Sequence, residues 1–517
     1  MSLPRQKIAI LGGGPGGYEA ALVGAQLGAD VTVIDEDGLG GACVLTDCVP
    51  SKTLIETSNA MLLLHAAPAL GITSAPSPEQ DSVDAKAVYA RIKALAAAQS
   101  KDITERLAAE GVRVIRGRGS LKSASVVRTP EGEIEADAVL VATGAHPRVL
   151  PGAEPDGERI LTWRQLYDLD ELPDRLIVIG SGVTGAEFAG AYQALGSHVT
   201  LVSSRQRVLP HEDEDAAMLI EEVWRRRGMT VLGQSRGQSV RRDRDGVIVT
   251  LQDGREITGS HCLMTVGMIP NTEGIGLDDA GVKRDAGGFV EVDRVSRTSA
   301  HGVYAAGDCT GLLMLASVAA MQGRVAMWHA LGEAVHPIRL GHVAATIFTD
   351  PEIATVGVSQ RAISAGEVMA RSVKLPLATN PRAKMRGLDD GFVKLFTSPG
   401  TGVVLGGVIV APRASELILG LSMAVQQHLT VDQVAHTFAV YPSVSGSITW
   451  RAGTRPASTS FCVTPTVASS GSVKTLADTV RSRSGATASP IACQIAIRPC
   501  MAATLASGST PVQSPAP

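Results

Sequence analysis

One type of glycine-rich turn occurs twice in this chain, and the two copies end differently. The first, Gly12-Gly13-Gly14-Pro15-Gly16-Gly17, follows the apolar run Ile8 to Leu11; the second, Gly180-Ser181-Gly182-Val183-Thr184-Gly185, follows Leu176 to Ile179. Each leads through a helix-like stretch into a second apolar run, Val31 to Ile34 and Val199 to Val202. In such a strand–turn–helix unit of about 30 residues, the first Gly (Gly12, Gly180) permits the tight turn. The second (Gly14, Gly182) lets backbone approach a pyrophosphate, and the third (Gly17, Gly185) lets helix and strand pack closely. The helix N-terminus offers free N–H groups and partial positive charge to the phosphates. A single match is weak evidence, because glycine turns are common. Two matches in the same context imply two dinucleotide-binding units, and two dinucleotides side by side imply electron transfer between them.

The strand after each turn ends on a different residue, Asp35 in the first copy and Ser203 in the second. A carboxylate there accepts hydrogen bonds from a ribose 2′-OH, a role that suits Asp35. Without one, a 2′-phosphate is not repelled. Ser203 and Ser204 are then candidate donors, and Arg205 or Arg207 a candidate charge. The expected second dinucleotide is NADPH, with NADH as the alternative. The competing reading is that these arginines merely decorate a surface loop.

At 517 residues the chain has room for two to four domains. A formal net charge of −4, no basic stripe and 3% aromatic residues argue against a nucleic-acid partner. Met1 to Gln6 leaves no room for a signal peptide before the first strand. No uncharged apolar run reaches the length of about 18 that suggests a membrane span. A soluble cytoplasmic protein is expected. The seven cysteines are odd in number and scattered, unlike a secreted disulfide framework. They lack paired CxxC spacing, so no metal site is expected.

Only Cys43 and Cys48 are close together, in Gly40-Gly41-Ala42-Cys43-Val44-Leu45-Thr46-Asp47-Cys48-Val49-Pro50-Ser51-Lys52. On a regular helix five residues rise about 7.5 Å, whereas a disulfide wants Cα atoms within about 7 Å. A bond here needs an irregular turn, which the flanking Gly pair and Pro50 can supply. Two buried thiols are the alternative.

This segment resembles the redox loop of the pyridine nucleotide–disulfide oxidoreductases. Further motifs agree, in the family's order. Val141-Ala142-Thr143-Gly144 resembles its strand returning to the FAD domain. Gly267-Met268-Ile269-Pro270-Asn271 is similar to a linker that usually has Arg at the Met268 position. Tyr304-Ala305-Ala306-Gly307-Asp308 is similar to the motif whose Asp holds the flavin's ribityl chain, and Phe348-Thr349-Asp350-Pro351-Glu352-Ile353-Ala354 resembles the start of the dimer-interface domain. The resemblance spans about residues 7 to 449. It implies an α/β fold with two Rossmann-like dinucleotide-binding domains, for FAD and NAD(P), plus a C-terminal α+β dimer-interface domain and hence a homodimer. It also pairs Lys52 with Glu187 beside the flavin. There a lysine steadies negative charge on the reduced ring and a glutamate holds the lysine. Either is otherwise readable as an ordinary surface charge.

The family's disulfide reductases use a His-Pro segment with a Glu four residues after the Pro, the His serving as acid and base for the dithiol. Here the stretch reads Val440-Tyr441-Pro442-Ser443-Val444-Ser445-Gly446, so Tyr441 replaces the His and Gly446 the Glu. Tyrosine, with a reference pKa of about 10, is a poor base at neutral pH, and losing a positioned base costs about 10²- to 10⁴-fold. His436 and His428 do not match the catalytic position and read as structural or solvated. The combination resembles NAD(P)H quinone dehydrogenases of dihydrolipoamide dehydrogenase-like type, a subgroup also suggested by the stretch from Asp156 to Leu169. The implied reaction takes hydride from NAD(P)H to FAD and passes two electrons to a quinone. The alternative is a dithiol–disulfide oxidoreductase such as dihydrolipoamide dehydrogenase. A non-catalytic flavoprotein scaffold is disfavoured by Lys52 and the second fingerprint.

The expected division is a first FAD-domain segment at 1–153, an NAD(P) domain at 154–283, a second FAD segment at 284–340, an interface domain at 341–449 and a disordered tail at 450–517. Ala85 to Glu110 reads as a helix. Gly400-Thr401-Gly402, followed by Val403-Val404-Leu405 and Val408-Ile409-Val410, suggests a hairpin in a mixed sheet. The tail is rich in Ser, Thr, Ala and Pro and has one acidic residue, Asp478. A reading-frame change near Trp450 would explain its foreign composition; a genuine flexible tail is the alternative.

Overall fold

The computed structural model of the protein describes residues 5–72 and 83–452. The compositionally foreign tail, with Cys462, Cys493 and Cys500, lies outside the described residues beyond Ala452.

The repeated sequence unit is a repeated structural unit. Lys7–Leu11 runs into helix α1 (Pro15–Gln26) and Asp30–Asp35 follows, pairing parallel to the first strand in register Ile8 to Val31. These strands form the middle of a five-stranded parallel sheet, ordered Val303–Ala305, Ala138–Val141, Lys7–Leu11, Asp30–Asp35, Arg113–Arg116. The loop after Asp35 carries helices α2 (Gly41–Leu45) and α3 (Cys48–Ala66), and α4 (Ala85–Ala109) lies beyond them. Helix α4 buries Tyr89, Ile92, Ala96, Ile103 and Leu107, three to seven residues apart, as a helical face must.

The second parallel sheet repeats this plan around Arg175–Ile179, with α5 (Val183–Ala194), His198–Val202, α6 (Glu214–Arg226) and Thr230–Leu232 following in turn. His261–Met264 and Ile160–Leu161 complete its other side. A two-stranded antiparallel link, Ala145–Pro147 with Met268–Pro270, joins the two units, and the Arg148 N–H donates to the Gly267 carbonyl at 2.9 Å. Each parallel sheet is covered by helices on one face and by a three-stranded antiparallel sheet on the other, Leu121 and Val127 packing on the first and Val247 and Val249 on the second. A sheet covered on both faces needs continuous apolar strands, which the fully buried Ala138–Val141 supplies.

The third module is a five-stranded antiparallel sheet between Ala344 and Ala411. Here the expectation of a hairpin in a mixed sheet is corrected, since every pairing in this sheet is antiparallel. Val404–Ala411 is one unbroken strand, and its hairpin partner across the Gly400–Gly402 turn is the preceding strand Phe392–Thr397. Gly406-Gly407, inside this strand, is a point of close backbone approach. A Cβ at Gly407 would lie 2.4 Å from the Lys394 carbonyl oxygen. One hydrophobic cluster joins all three modules. It runs through Leu54 of α3, Tyr89 of α4, Phe188 and Tyr192 of α5, and Ile347 and Phe392 of the antiparallel sheet. Each such buried side chain contributes about 1.5–3 kcal/mol relative to exposure.

Candidate active site

The two glycine turns have the same local mechanics. Gly12 and Gly180 adopt φ of +103° and +112°, and a Cβ on either would lie 2.3 or 2.2 Å from the carbonyl oxygen of Ala142 or Thr265. A Cβ on Gly17 or Gly185 would lie 1.9 Å from the carbonyl of the turn's own first glycine. Gly14 and Gly182, the N-caps of α1 and α5, face open space instead. Outer glycines closed against protein and a middle glycine open at a helix N-terminus are what a pyrophosphate cradle requires.

The first cradle opens into a groove lined by Gly14, Asp35, Cys43, Cys48, Thr143 and Asp308, with Asp47, Trp163 and Arg164 also on its wall. The Thr143 hydroxyl is buried without a hydrogen-bond partner, a polar group awaiting a ligand atom. The Asp35 carboxylate accepts from the Gly13 N–H at 2.7 Å and the Gly38 N–H at 2.5 Å. These bonds fix it at the rim and leave lone pairs for a ribose. Gly307 donates its N–H to Gln322 at 2.8 Å, and burial raises the neighbouring Asp308 carboxyl to about 6, helped by nearby Asp47. The groove fits a flavin dinucleotide: open middle glycine, acidic rim, orphaned hydroxyl and a polar inner end.

The second cradle differs from expectation at one residue. Ser203 is fully buried, its hydroxyl accepting from Ser181 at 2.7 Å and donating to the Arg205 carbonyl at 3.1 Å. Its work is to brace the turn, so it is not presented to a ligand phosphate. Ser204 and Arg205 are exposed beside it. Arg207 is ion-paired with Glu214, whereas the Arg205 side chain makes no ion pair among the described residues.

Lys52 and Glu187, 135 positions apart, meet between the two units, with Lys52 Nζ 2.7 Å from Glu187 Oε2. The other Glu187 oxygen accepts the Phe348 N–H at 3.0 Å, and Lys52 Nζ lies 5.0 Å from the Phe348 ring centre. Burial alone would depress the Lys52 ammonium. The charge of Glu187, with Cys48 and Asp47, outweighs it and the net shift is upward. The ammonium therefore stays charged at neutral pH.

Cys43 lies inside α2 and Cys48 opens α3, the chain breaking helix at Thr46 and Asp47. That break is the irregular turn a Cys43–Cys48 bond needs. Both are free thiols in this structure. Hydrogen bonding from the Cys48 thiol lowers Cys43, while the same contact and burial raise Cys48. Tyr441 is 75% exposed on a strip with Phe438 and Val440, where a family His would serve the dithiol. The His436 Nδ1 donates to the Asp432 carbonyl at 2.6 Å, and the His428 ring packs edge-on to His342. Asp47, Trp163, Arg164 and Phe348 were missed as site residues by sequence reasoning. The first is an ordinary helix-cap residue type; Trp163 and Arg164 reach the groove, and Phe348 the Lys52–Glu187 pair, only through folding.

Among the described residues no cluster of three or more His, Cys, Asp or Glu is placed to hold a metal ion, and no helix is long and apolar enough to cross a membrane.

Two dinucleotide cradles, a Lys–Glu pair that ties α3 to α5 and a dithiol on the wall of the first cradle define a nicotinamide-dependent flavoprotein oxidoreductase. The chain belongs to the pyridine nucleotide-disulphide oxidoreductase family, whose profile matches residues 6–323, with the family's dimerisation domain at residues 343–452. Its cofactors are those of the family, FAD and NAD(P)H. It is 58% identical over 461 residues to a Mycobacterium tuberculosis protein named NAD(P)H dehydrogenase (quinone), covering 86% of this chain and 92% of that one. It is 32% identical over 446 residues to a dihydrolipoyl dehydrogenase of Zymomonas mobilis, covering 84% and 95%. The crystal structure of LpdA from M. tuberculosis superposes with a TM-score of 0.82 at 57% identity, covering 86% of this chain and 99% of that one.

Proposed function

We propose that the chain is an FAD-dependent NAD(P)H:quinone oxidoreductase working as a homodimer. The observation that carries this reading is a Lys52–Glu187 pair in contact at 2.7 Å combined with Tyr441, exposed and weakly basic, at the dithiol-base position. The entrance for hydride is intact and the sulfur exit lacks its proton-handling partner. The name of the 58% identical relative supports the same acceptor class.

In this reading FAD, when bound, accepts the hydride and returns two electrons to the acceptor. The chain's residues hold and tune it. The open face at Gly14 and the N-terminus of α1 receive the pyrophosphate, Asp35 the ribose, and Thr143, Gly307 and Asp308 the inner chain. Lys52, anchored by Glu187, sets positive charge against the ring, where preorganised charge acts at full strength because it need not reorient. Gly182 and α5 receive the second pyrophosphate, and Arg205 supplies charge for a 2′-phosphate, favouring NADPH over NADH. We assign 1–153 and 284–340 to the FAD domain, 154–283 to the nucleotide domain and 341–449 to the interface domain. Support comes from Val303–Ala305 joining the first sheet beside Ala138–Val141.

The second reading, dihydrolipoamide dehydrogenase activity, is favoured by the Cys43–Cys48 pairing. Anaerobic titration with NADPH, followed by addition of a naphthoquinone or of lipoamide, separates the two. Rapid bleaching with reoxidation by quinone is expected. Reoxidation by lipoamide alone, abolished in Cys48→Ser, would replace the quinone reading by the second.

A further inference from the structure

Reducing a quinone takes a hydride equivalent and a proton: NADPH + H⁺ + quinone gives NADP⁺ + hydroquinone. The proton needs a carrier at the groove, and Tyr441 and Gly446 do not provide one. Four aspartates line the groove: Asp35, Asp37, Asp47 and Asp308. Asp35 is committed to two backbone N–H groups at the dinucleotide rim, and Asp37 is exposed in the same loop. Asp308 stands beside Gly307 at the position already given to the flavin's inner chain. Glu187, nearby, is committed to Lys52 and the Phe348 N–H.

That leaves Asp47, which has neither a protein partner nor a ligand contact assigned above. It is the N-cap residue of α3, where an aspartate normally accepts a backbone N–H of the first turn, yet its side chain makes no cap bond. Its carboxylate makes no hydrogen bond or ion pair with any described residue. It lines the groove together with Cys43, Cys48 and Arg164. Tyr167, 5% exposed and with its hydroxyl unpartnered, lies close enough to feel the Asp47 charge.

We propose that Asp47 is the proton donor of the acceptor half-reaction, a catalytic residue that touches a quinone bound on the dithiol side of the groove. This rests on the quinone reading above. With FAD bound supplying the hydride equivalent that NADPH provides, the quinone would become the hydroquinone anion; the Asp47 O–H bond then breaks and its proton passes to the negatively charged oxygen, completing the hydroquinone. Water re-protonates the carboxylate. Several groups face the Asp47 carboxyl. They are Lys52 and Cys48 of α3, Cys43 of α2, Glu187 of α5, Arg164 and Tyr167 from the segment after Ile160–Leu161, and Asp308. Burial raises the carboxyl, Lys52 lowers it, Glu187 raises it and Arg164 lowers it, with a net shift upward. The donor form therefore persists to higher pH than for an exposed aspartate, and the step slows as pH rises through that ionisation.

Stopped-flow reoxidation of NADPH-reduced holoenzyme by a naphthoquinone, from acid to alkaline pH, tests this with Asp47→Asn and Asp47→Glu. In Asp47→Asn, quinone reoxidation should fall about 10²-fold relative to reduction by NADPH in the same variant, and the alkaline limb should vanish. Asp47→Glu should restore part of the rate and the limb. Infrared difference spectra of the holoenzyme, oxidised minus reduced, should contain a protonated-carboxyl band that Asp47→Asn removes. A quinone-active wild type whose Asp47→Asn variant, with full FAD content, matches it in rate, pH profile and infrared spectrum would overturn the assignment of Asp47. A wild type inert towards quinones but active with lipoamide would overturn the underlying reading instead.

Discussion

Lys52 illustrates how a single side chain is set by its neighbours. Its partner Glu187 is 4% exposed, so removing the lysine leaves a carboxylate with only the Phe348 N–H for company. Lys52→Met should destabilise the fold by about 2 kcal/mol, less than for a fully buried pair because Lys52 keeps 31% exposure. It should also slow NADPH-driven flavin bleaching by about 10²-fold, read by stopped flow; an unchanged rate would remove Lys52 from the hydride step. Arg205→Ala should lower kcat/KM for NADPH about tenfold, a loss of about 1.4 kcal/mol, and leave NADH almost unaffected. Equal losses for both nucleotides would mean that Arg205 does not read the 2′-phosphate. Sequence spacing located the Ser203 position but not its burial. That depends on Ser181, contributed by the turn 22 positions away, and spacing along one strand does not report it.

The glycine turns show what an element demands of its residues. Gly12→Ala forces a side chain into φ +103° and into the Ala142 carbonyl. It should cost about 3 kcal/mol or more and lower Tm. Gly14→Ala meets no atom within 4 Å. It should leave the unfolding free energy of the apoprotein within about 1 kcal/mol of wild type and instead weaken FAD binding, measured by cofactor release on dilution. Two alanines two residues apart thus separate folding from binding. These elements were legible because turn, helix and strand each have a local residue requirement. The Gly406-Gly407 strand was not, because those glycines answer to a neighbouring backbone that lies remote in sequence rather than to their own conformation.

At the scale of the whole molecule, the modules are tied by charge as well as by apolar packing. Lys394, 4% exposed on the antiparallel sheet, contacts Asp213 at the N-cap of α6 at 2.7 Å and Asp215 at 2.5 Å. Lys394→Ala should cost about 3–5 kcal/mol, seen in urea unfolding, because Asp213 stays buried without its partner. The exposed apolar strip Phe438, Val440 and Tyr441 lies in the dimerisation domain. Phe438→Asp should convert the proposed dimer to monomer in light scattering, and an unchanged mass would place the contact elsewhere. The three-module plan was legible from five motifs in order, whereas these ties were not, since each joins residues far apart in the chain. The carboxylate of Glu187 belongs to one module, grips a lysine of the second and takes a backbone N–H of the third. A joint of that kind opposes any swing of one module against the other two, because such a motion must first break a contact of this one carboxylate.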